Sequence, residues 1–488
     1  MGRARLFAIV ALVVLSGCTL PGTPGQFDPD RDPGHVAGYA HDDTFAFDGS
    51  DGLTEHQLEA VKYRSMARIE VVRGLTFDRD VELEVIGRDE YRERRGGSEP
   101  ASQFDNELWR GAFVVDGETD VNAAFDDLYG DSVQGYYVND RIVIVTDDAD
   151  EIRIDRRTLV HELVHALQDQ RFGIDRSGET IDERRAELGL IEGEANYLAH
   201  LYDQRCGAEW QCLADREPAT SDPRSFNFGL FLSIYAPYSA GPPFVAHLHE
   251  TGGWDRVDRA HEARPASTSQ VLAPETYPDV EPIDVPIEDR SNDDWDPVTD
   301  DDGEIESDTV GEATVFATLW ANGVVDRSSL TAGATDLSPY NYSAPATDGW
   351  AGDTFRAYAD GSDRTGHVWR LAWEREADAE AFADAYRDLL AANGAGRVDD
   401  GVYRIDDGDP FAGANRVSVA GDRVTIVGAP TVPELDEIHA EDGASTETRA
   451  EIGASATASI GSTTAGSASP IPAPSGGAGS PIPAAADG

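Results

Sequence analysis

Lysine is almost missing from this chain: Lys62 is the only one in 488 residues. Cysteine (3) and methionine (2) are scarce as well. Positive charge of any kind is short, with 39 Lys+Arg against 92 Asp+Glu and a net charge of −53. That deficit argues against nucleic acid as a partner, because phosphate backbones are held by basic patches. It also sets the solvent. Such a chain repels itself in dilute buffer, whereas at about 1 M salt the screening length falls to about 3 Å and the repulsion becomes tolerable. The composition is that of a halophilic protein whose folding depends on salt, so the acidity says little about what the chain binds.

Long apolar runs are lacking too. Residues 6–15 form a ten-residue apolar stretch, too short to span a bilayer, and no later stretch is long enough. Arg3 and Arg5 precede it and Leu15-Ser16-Gly17-Cys18 follows. Residues 1–18 therefore read as a lipoprotein signal peptide, with Cys18 the lipid-bearing first residue of a mature chain anchored on the outer face of the cell membrane. An ordinary signal peptide with an incidental cysteine is the alternative. The two remaining cysteines, Cys206 and Cys212, are expected to pair as a disulfide closing a small loop, as suits an exported chain.

Residues 19–50, rich in Pro, Gly and Asp, read as a mobile linker. A capping-box pattern at Thr54–Gln57 opens a helix that Gly74 ends. Val81, Leu83 and Val85 alternate with glutamates, as in a half-buried strand, and residues 104–130 read as mainly helical. The runs 136–138 and 141–145 flank Asn139-Asp140 as a hairpin, with one strand placed to pair with an extended peptide.

The most informative stretch follows. His161-Glu162-x-x-His165 lies in an apolar helical run. Residues four apart share a helix face, so the two imidazoles can converge on one ion. Glu162 is turned roughly 100° away and is placed to act as a base on a bound water. Residues 181–202 read as a second helix. In it Glu192 sits among apolar residues, where a bare carboxylate is costly unless a metal is its partner. Gly193 would let the two helices approach closely. Glu194 is expected to face solvent.

His161-Glu162-x-x-His165 followed by Glu192-Gly193-x-Ala195 resembles the gluzincin metallopeptidases, the thermolysin and aminopeptidase-like group. The resemblance implies Zn²⁺ held by His161, His165 and Glu192, Glu162 as catalytic base, and a peptide or protein substrate. It also implies an oxyanion-stabilising tyrosine or histidine, for which Tyr238 is the first candidate, with Tyr235, His247 and His261 behind it. Asp169 and Asn196 are candidates to support the ligands. The run 160–170 and pieces around 72–75, 135–137, 252–255, 265–268 and 349–353 are also similar to a family of uncharacterised bacterial and archaeal secreted or surface proteins.

Beyond the motif, residues 226–250 read as two helices broken at Pro237. Residues 279–308 carry 14 Asp/Glu and one Arg and read as a solvated linker or insertion. Strands at 354–358 and 367–373, a helix at 377–390 and a hairpin around Gly421 indicate α+β structure. From about 438 the chain is a disordered Ala/Gly/Ser/Thr/Pro tail. The expected architecture is α+β: a zincin-like domain at 51–275, the acidic linker at 276–308, a C-terminal α+β domain at 309–435 and a tail at 436–488. The expected function is that of a lipid-anchored extracellular zinc peptidase. The alternative is a non-enzymatic envelope protein that keeps the fold and a structural metal.

Overall fold

A computed structural model describes residues 25–129, 133–146, 152–175, 177–214, 226–362 and 364–441. Cys18, the signal peptide and the tail beyond residue 441 lie outside the described residues.

The first described segment corrects the linker expectation. Strands β1 (His35–Val36) and β2 (Tyr39–Ala40) pair and lie on helix α1 (Glu55–Arg73), with Val36 and Tyr39 buried. A carboxylate drives this: Glu70, buried on α1, accepts from the Gly34 and Phe77 amides at 2.9 and 3.0 Å. Thr54 and Gln57 cap α1 reciprocally, and Gly74 closes it at φ 77°.

Strand β3 (Glu82–Gly87) leads through helices α2 (Arg88–Arg95), α3 (Gln103–Gly111) and α4 (Val121–Tyr129) to the hairpin of β4 (Gly135–Val138) and β5 (Arg141–Thr146). Asn139 and Asp140 both have positive φ, 49° and 61°, the backbone that a two-residue I′ turn demands. The sheet order is β3-β5-β4, with β3 parallel and β4 antiparallel to β5, which leaves β4 on an edge. Helix α5 (Arg156–Phe172) lies against β4 and β5. Asp155 caps it by accepting from the Thr158 amide at 2.8 Å. Helix α6 (Ile181–Asp203) starts at a second capping box, Thr180 with Glu183.

Helix α7 (Phe228–Gly252) corrects the expected break, since it runs on through Pro237, Pro242 and Pro243. Each proline removes a backbone donor and crowds the previous turn. Burial offsets that: Leu230, Leu232, Phe244, Val245 and Leu248 are all sealed from solvent. Helices α6 and α7 touch at Gly193 and Gly241, and a Cβ on Gly193 would collide with the Gly241 carbonyl oxygen. Gly193→Ala should therefore destabilise the chain by about 1–3 kcal/mol or more by forcing the helices apart. Denaturant unfolding checks this, and a loss within about 0.5 kcal/mol would mean that the helices can separate freely.

Helices α8 (Trp254–Glu262) and α9 (Thr268–Leu272) follow. The acidic stretch is then a strap rather than a solvated linker. Val285, Ile287 and Trp295 are buried, and β6 (Asp296–Pro297) joins the large sheet. Backbone bonds from Ile283 to Ala351 (2.8 Å) and from Asn292 to Glu437 (2.7 Å) fasten it. Its carboxylates are tolerated because sparse apolar side chains anchor the strand while most acids point outward.

After α10 (Glu312–Ala321) come β7 (Trp350–Ala359), β8 (Thr365–Trp373), α11 (Glu376–Ala392), β9 (Gly396–Asp399), β10 (Val402–Ile405), β11 (Gly413–Ala420), β12 (Arg423–Ala429) and α12 (Glu434–Ile438). They build an antiparallel sheet of order β6-β7-β8-β12-β11-β10-β9. The fold is α+β, but the expected division at 276–308 does not separate two cores. One apolar cluster holds Leu108 and Trp109 of α3, Leu232 of α7, Phe316 of α10, Trp369 of β8 and Tyr386 of α11. Buried Glu107 of α3 reaches His367 Nδ1 at 2.7 Å. No helix among the described residues is long and apolar enough to cross a membrane.

Candidate metal centre

Three helices converge on the site. His161 and His165 stand one turn apart on α5, with their Nε2 atoms 3.0 Å from each other. Glu192 of α6 brings Oε2 to 3.1 Å from His161 Nε2 and 3.3 Å from His165 Nε2. From α7, the Tyr238 hydroxyl donates to Glu192 Oε1 at 3.1 Å. All three side chains are buried, and Glu192 Oε2 has no hydrogen-bond partner. A buried carboxylate oxygen left without a donor, facing two imidazole nitrogens, is what a cation would satisfy. Among the described residues, His161, His165 and Glu192 form a group that could hold a metal ion.

The charges fit that reading. Burial alone would pull the His165 imidazole down, but Glu192 outweighs it and lifts His165 to about 9. Burial opposes the charge on Glu192, yet His165 and His161 hold that carboxyl well below the usual range. A metal would displace the imidazole proton, so binding is coupled to proton release. Burial pushes Glu162 up against the pull of both histidines. Glu162 is 1 % exposed and feels the charges of His161, His165 and Glu192, but it is not one of the three residues that could hold a metal ion.

The support around the ligands differs from the expected one. Asp169 accepts from the Tyr137 hydroxyl at 2.7 Å and ties α5 to β4 rather than holding a ligand. Asn196 donates to the Glu192 backbone carbonyl at 3.0 Å, a local helix contact that does not orient the carboxylate. The residue that orients a ligand is Gln168, which sequence reasoning missed. Its Nε2 donates to the Ile191 carbonyl (2.9 Å) and to Glu194 (2.8 Å), so Oε1 is left to accept from His165 Nδ1 at 2.9 Å. That bond fixes the ring and aims Nε2 at the group.

Glu194, expected to face solvent, is 1 % exposed. It is paired with Arg73 of α1 and bonded to His261 Nε2 of α8 at 2.6 Å. Arg73 also reaches Asp258 at 2.5 Å. Arg73 and His261 hold the carboxyl of Glu194 far down despite its burial. His261 is thus part of the support and stacks on Phe172 at 4.3 Å. Tyr235 lies beside Tyr238, with ring centroids 5.6 Å apart, and His247 is not in the group. Cys206 and Cys212 form a disulfide just past the end of α6.

A family model described as a domain of unknown function (DUF8575) matches residues 297–439, the end of the acidic strap and the large sheet, and includes none of the three ligands. No curated protein and no solved structure matches this chain.

Proposed function

We propose that this chain is a zinc-dependent peptidase of the gluzincin type, lipid-anchored through Cys18 on the outer face of the cell membrane. The observation that carries the reading is Glu162, a buried carboxylate beside the ligand group that a purely structural metal would not need. Ligand atoms about 2.0–2.1 Å from a tetrahedral zinc ion lie roughly 3.3 Å apart, close to the separations of 3.0, 3.1 and 3.3 Å here.

Bound zinc supplies a Lewis acid that polarises a carbonyl and acidifies water. Glu162 takes the proton of the attacking water and returns it to the leaving amine. β4, at the edge of its sheet among the described residues, would offer its backbone to an extended peptide. Tyr238, whose hydroxyl donates to Glu192 Oε1 at 3.1 Å, would meet charge on the carbonyl oxygen.

The rival reading, an envelope protein with a structural metal, draws on the ligands' burial: none of the three is more than 7 % exposed. The deciding experiment uses the purified chain in molar salt and measures zinc content and hydrolysis of a mixed peptide library. The peptidase reading expects about one zinc per chain and hydrolysis abolished by chelator and restored by zinc. Zinc bound with no hydrolysis of any peptide would return the protein to the rival reading.

A further inference from the structure

Arg157 stands one turn before the candidate ligands, with no carboxylate partner among the described residues. Arg157 precedes His161 by four residues on α5, so Arg157, His161 and His165 share one face of the helix. It is half-buried, and its Nε is sealed from solvent with no hydrogen-bond partner. Among the described residues Arg157 makes no ion pair, in a chain with 92 Asp+Glu against 39 Lys+Arg. Its neighbour Arg156 has the ordinary arrangement, paired with Asp203 at 3.0 Å.

The surroundings of Arg157 lead to the metal centre. Burial first, then Tyr340, raises the Tyr235 hydroxyl to about 12, and the positive charge of Arg157 opposes that rise. Tyr235 stacks beside Tyr238, whose hydroxyl is on Glu192. Along α5 itself, Arg157 stands one turn before His161 on the face that carries both imidazoles.

The geometry points to Arg157 as the subsite that receives a carboxylate of the peptide substrate, within two residues of the bond to be cut. This inference rests on the peptidase reading. The chemistry suits it: a guanidinium fork matches a carboxylate bidentately, and a half-buried one lacking an anion has most to gain. The reach suits it as well. Four helical residues rise about 6 Å, and two residues of extended peptide span about 7 Å. A carbonyl at the ligand group thus brings a carboxylate one or two residues away onto Arg157. The carboxylate is either the C-terminus of the substrate or an Asp or Glu side chain.

The test measures binding, so that turnover is not needed. Glu162→Gln protein loaded with zinc is titrated calorimetrically in molar salt with four blocked tripeptides: one ending in a free carboxylate, its C-terminal amide, and two amides with central glutamate or glutamine. A carboxylate-bearing peptide should bind at least tenfold tighter than its neutral twin, Arg157→Gln should abolish the difference, and Arg157→Lys should restore part of it. A gain confined to the free acid identifies a C-terminal carboxylate, and a gain confined to the glutamate peptide identifies a side chain. A carboxylate that gains affinity equally in the parent and in Arg157→Gln is held by the zinc and overturns the subsite. So does the absence of any gain in protein with Arg157 intact, a result that stands even where Arg157→Gln fails to fold. Arg157-dependent binding in a chain whose parent cuts no peptide supports the subsite and overturns only the peptidase reading.

Discussion

Glu162→Gln should keep about one zinc per chain and lower peptide turnover about 10²–10⁴-fold, the usual contribution of a positioned base. The substitution is isosteric and leaves the three ligand side chains untouched, so metal content should not change. It also replaces a carboxylate that burial already penalises, so stability should hold or rise. Glu192→Ala is the contrasting variant. It removes the one carboxylate in the group and should lose the metal together with the activity. Metal analysis and initial rates on the two variants separate a base from a ligand. Undiminished turnover in Glu162→Gln would remove Glu162 from the chemistry, and loss of zinc there would make it a ligand.

The second large effect concerns stability. Arg73→Met should cost about 3–5 kcal/mol, because it leaves Glu194 charged, buried and short of its main partner. Adding Glu194→Gln should recover a large part of the loss, since the double variant buries no orphaned charge. Either change loosens the hold of Gln168 on His165, and zinc affinity should fall about 10–100-fold. The pH dependence has a definite sign. The carboxyl of Glu194 is lowered from its ordinary value of 4.5, so its contribution is complete above that pH and is lost as the pH falls further. Unfolding of the three proteins in denaturant, each at pH 7 and pH 4, checks both statements. A single variant within about 1 kcal/mol of the parent would show that the network is not what holds these helices together.

The convergence of His161, His165 and Glu192 was legible because it is local: the His161–His165 spacing and the apolar neighbours of Glu192 are written within two helices. Its support was not legible. Glu194 looks like a surface residue until Arg73 and His261, 121 and 67 positions away, are brought to it. Gln168 carries no charge and no motif, and only its three partners reveal its role. The one available signal was its place three residues after His165, on the same helix face. Helix and strand assignments held where periodicity was strong, as in α1, α6 and the β4–β5 hairpin. They failed where composition stood in for packing. Pro237 breaks a helix in isolation but not one sealed against α6, and an acidic stretch is a strap when Val285, Ile287 and Trp295 have a sheet to sit on.

Helix α3 also has a place in time. Synthesis delivers Glu107 260 positions ahead of His367. At about 5–20 residues per second, the wait is roughly 10–50 s. During that interval Leu108 and Trp109 have no sheet to cover them, and closing so long a loop is slow even once the strands exist. The α3 part of the core is therefore expected to close only when the last strands emerge. Placing β8 and β12 completes the cluster around α3, α7 and α10, whereas the cluster around α1, α5 and α6 draws on no residue of the large sheet.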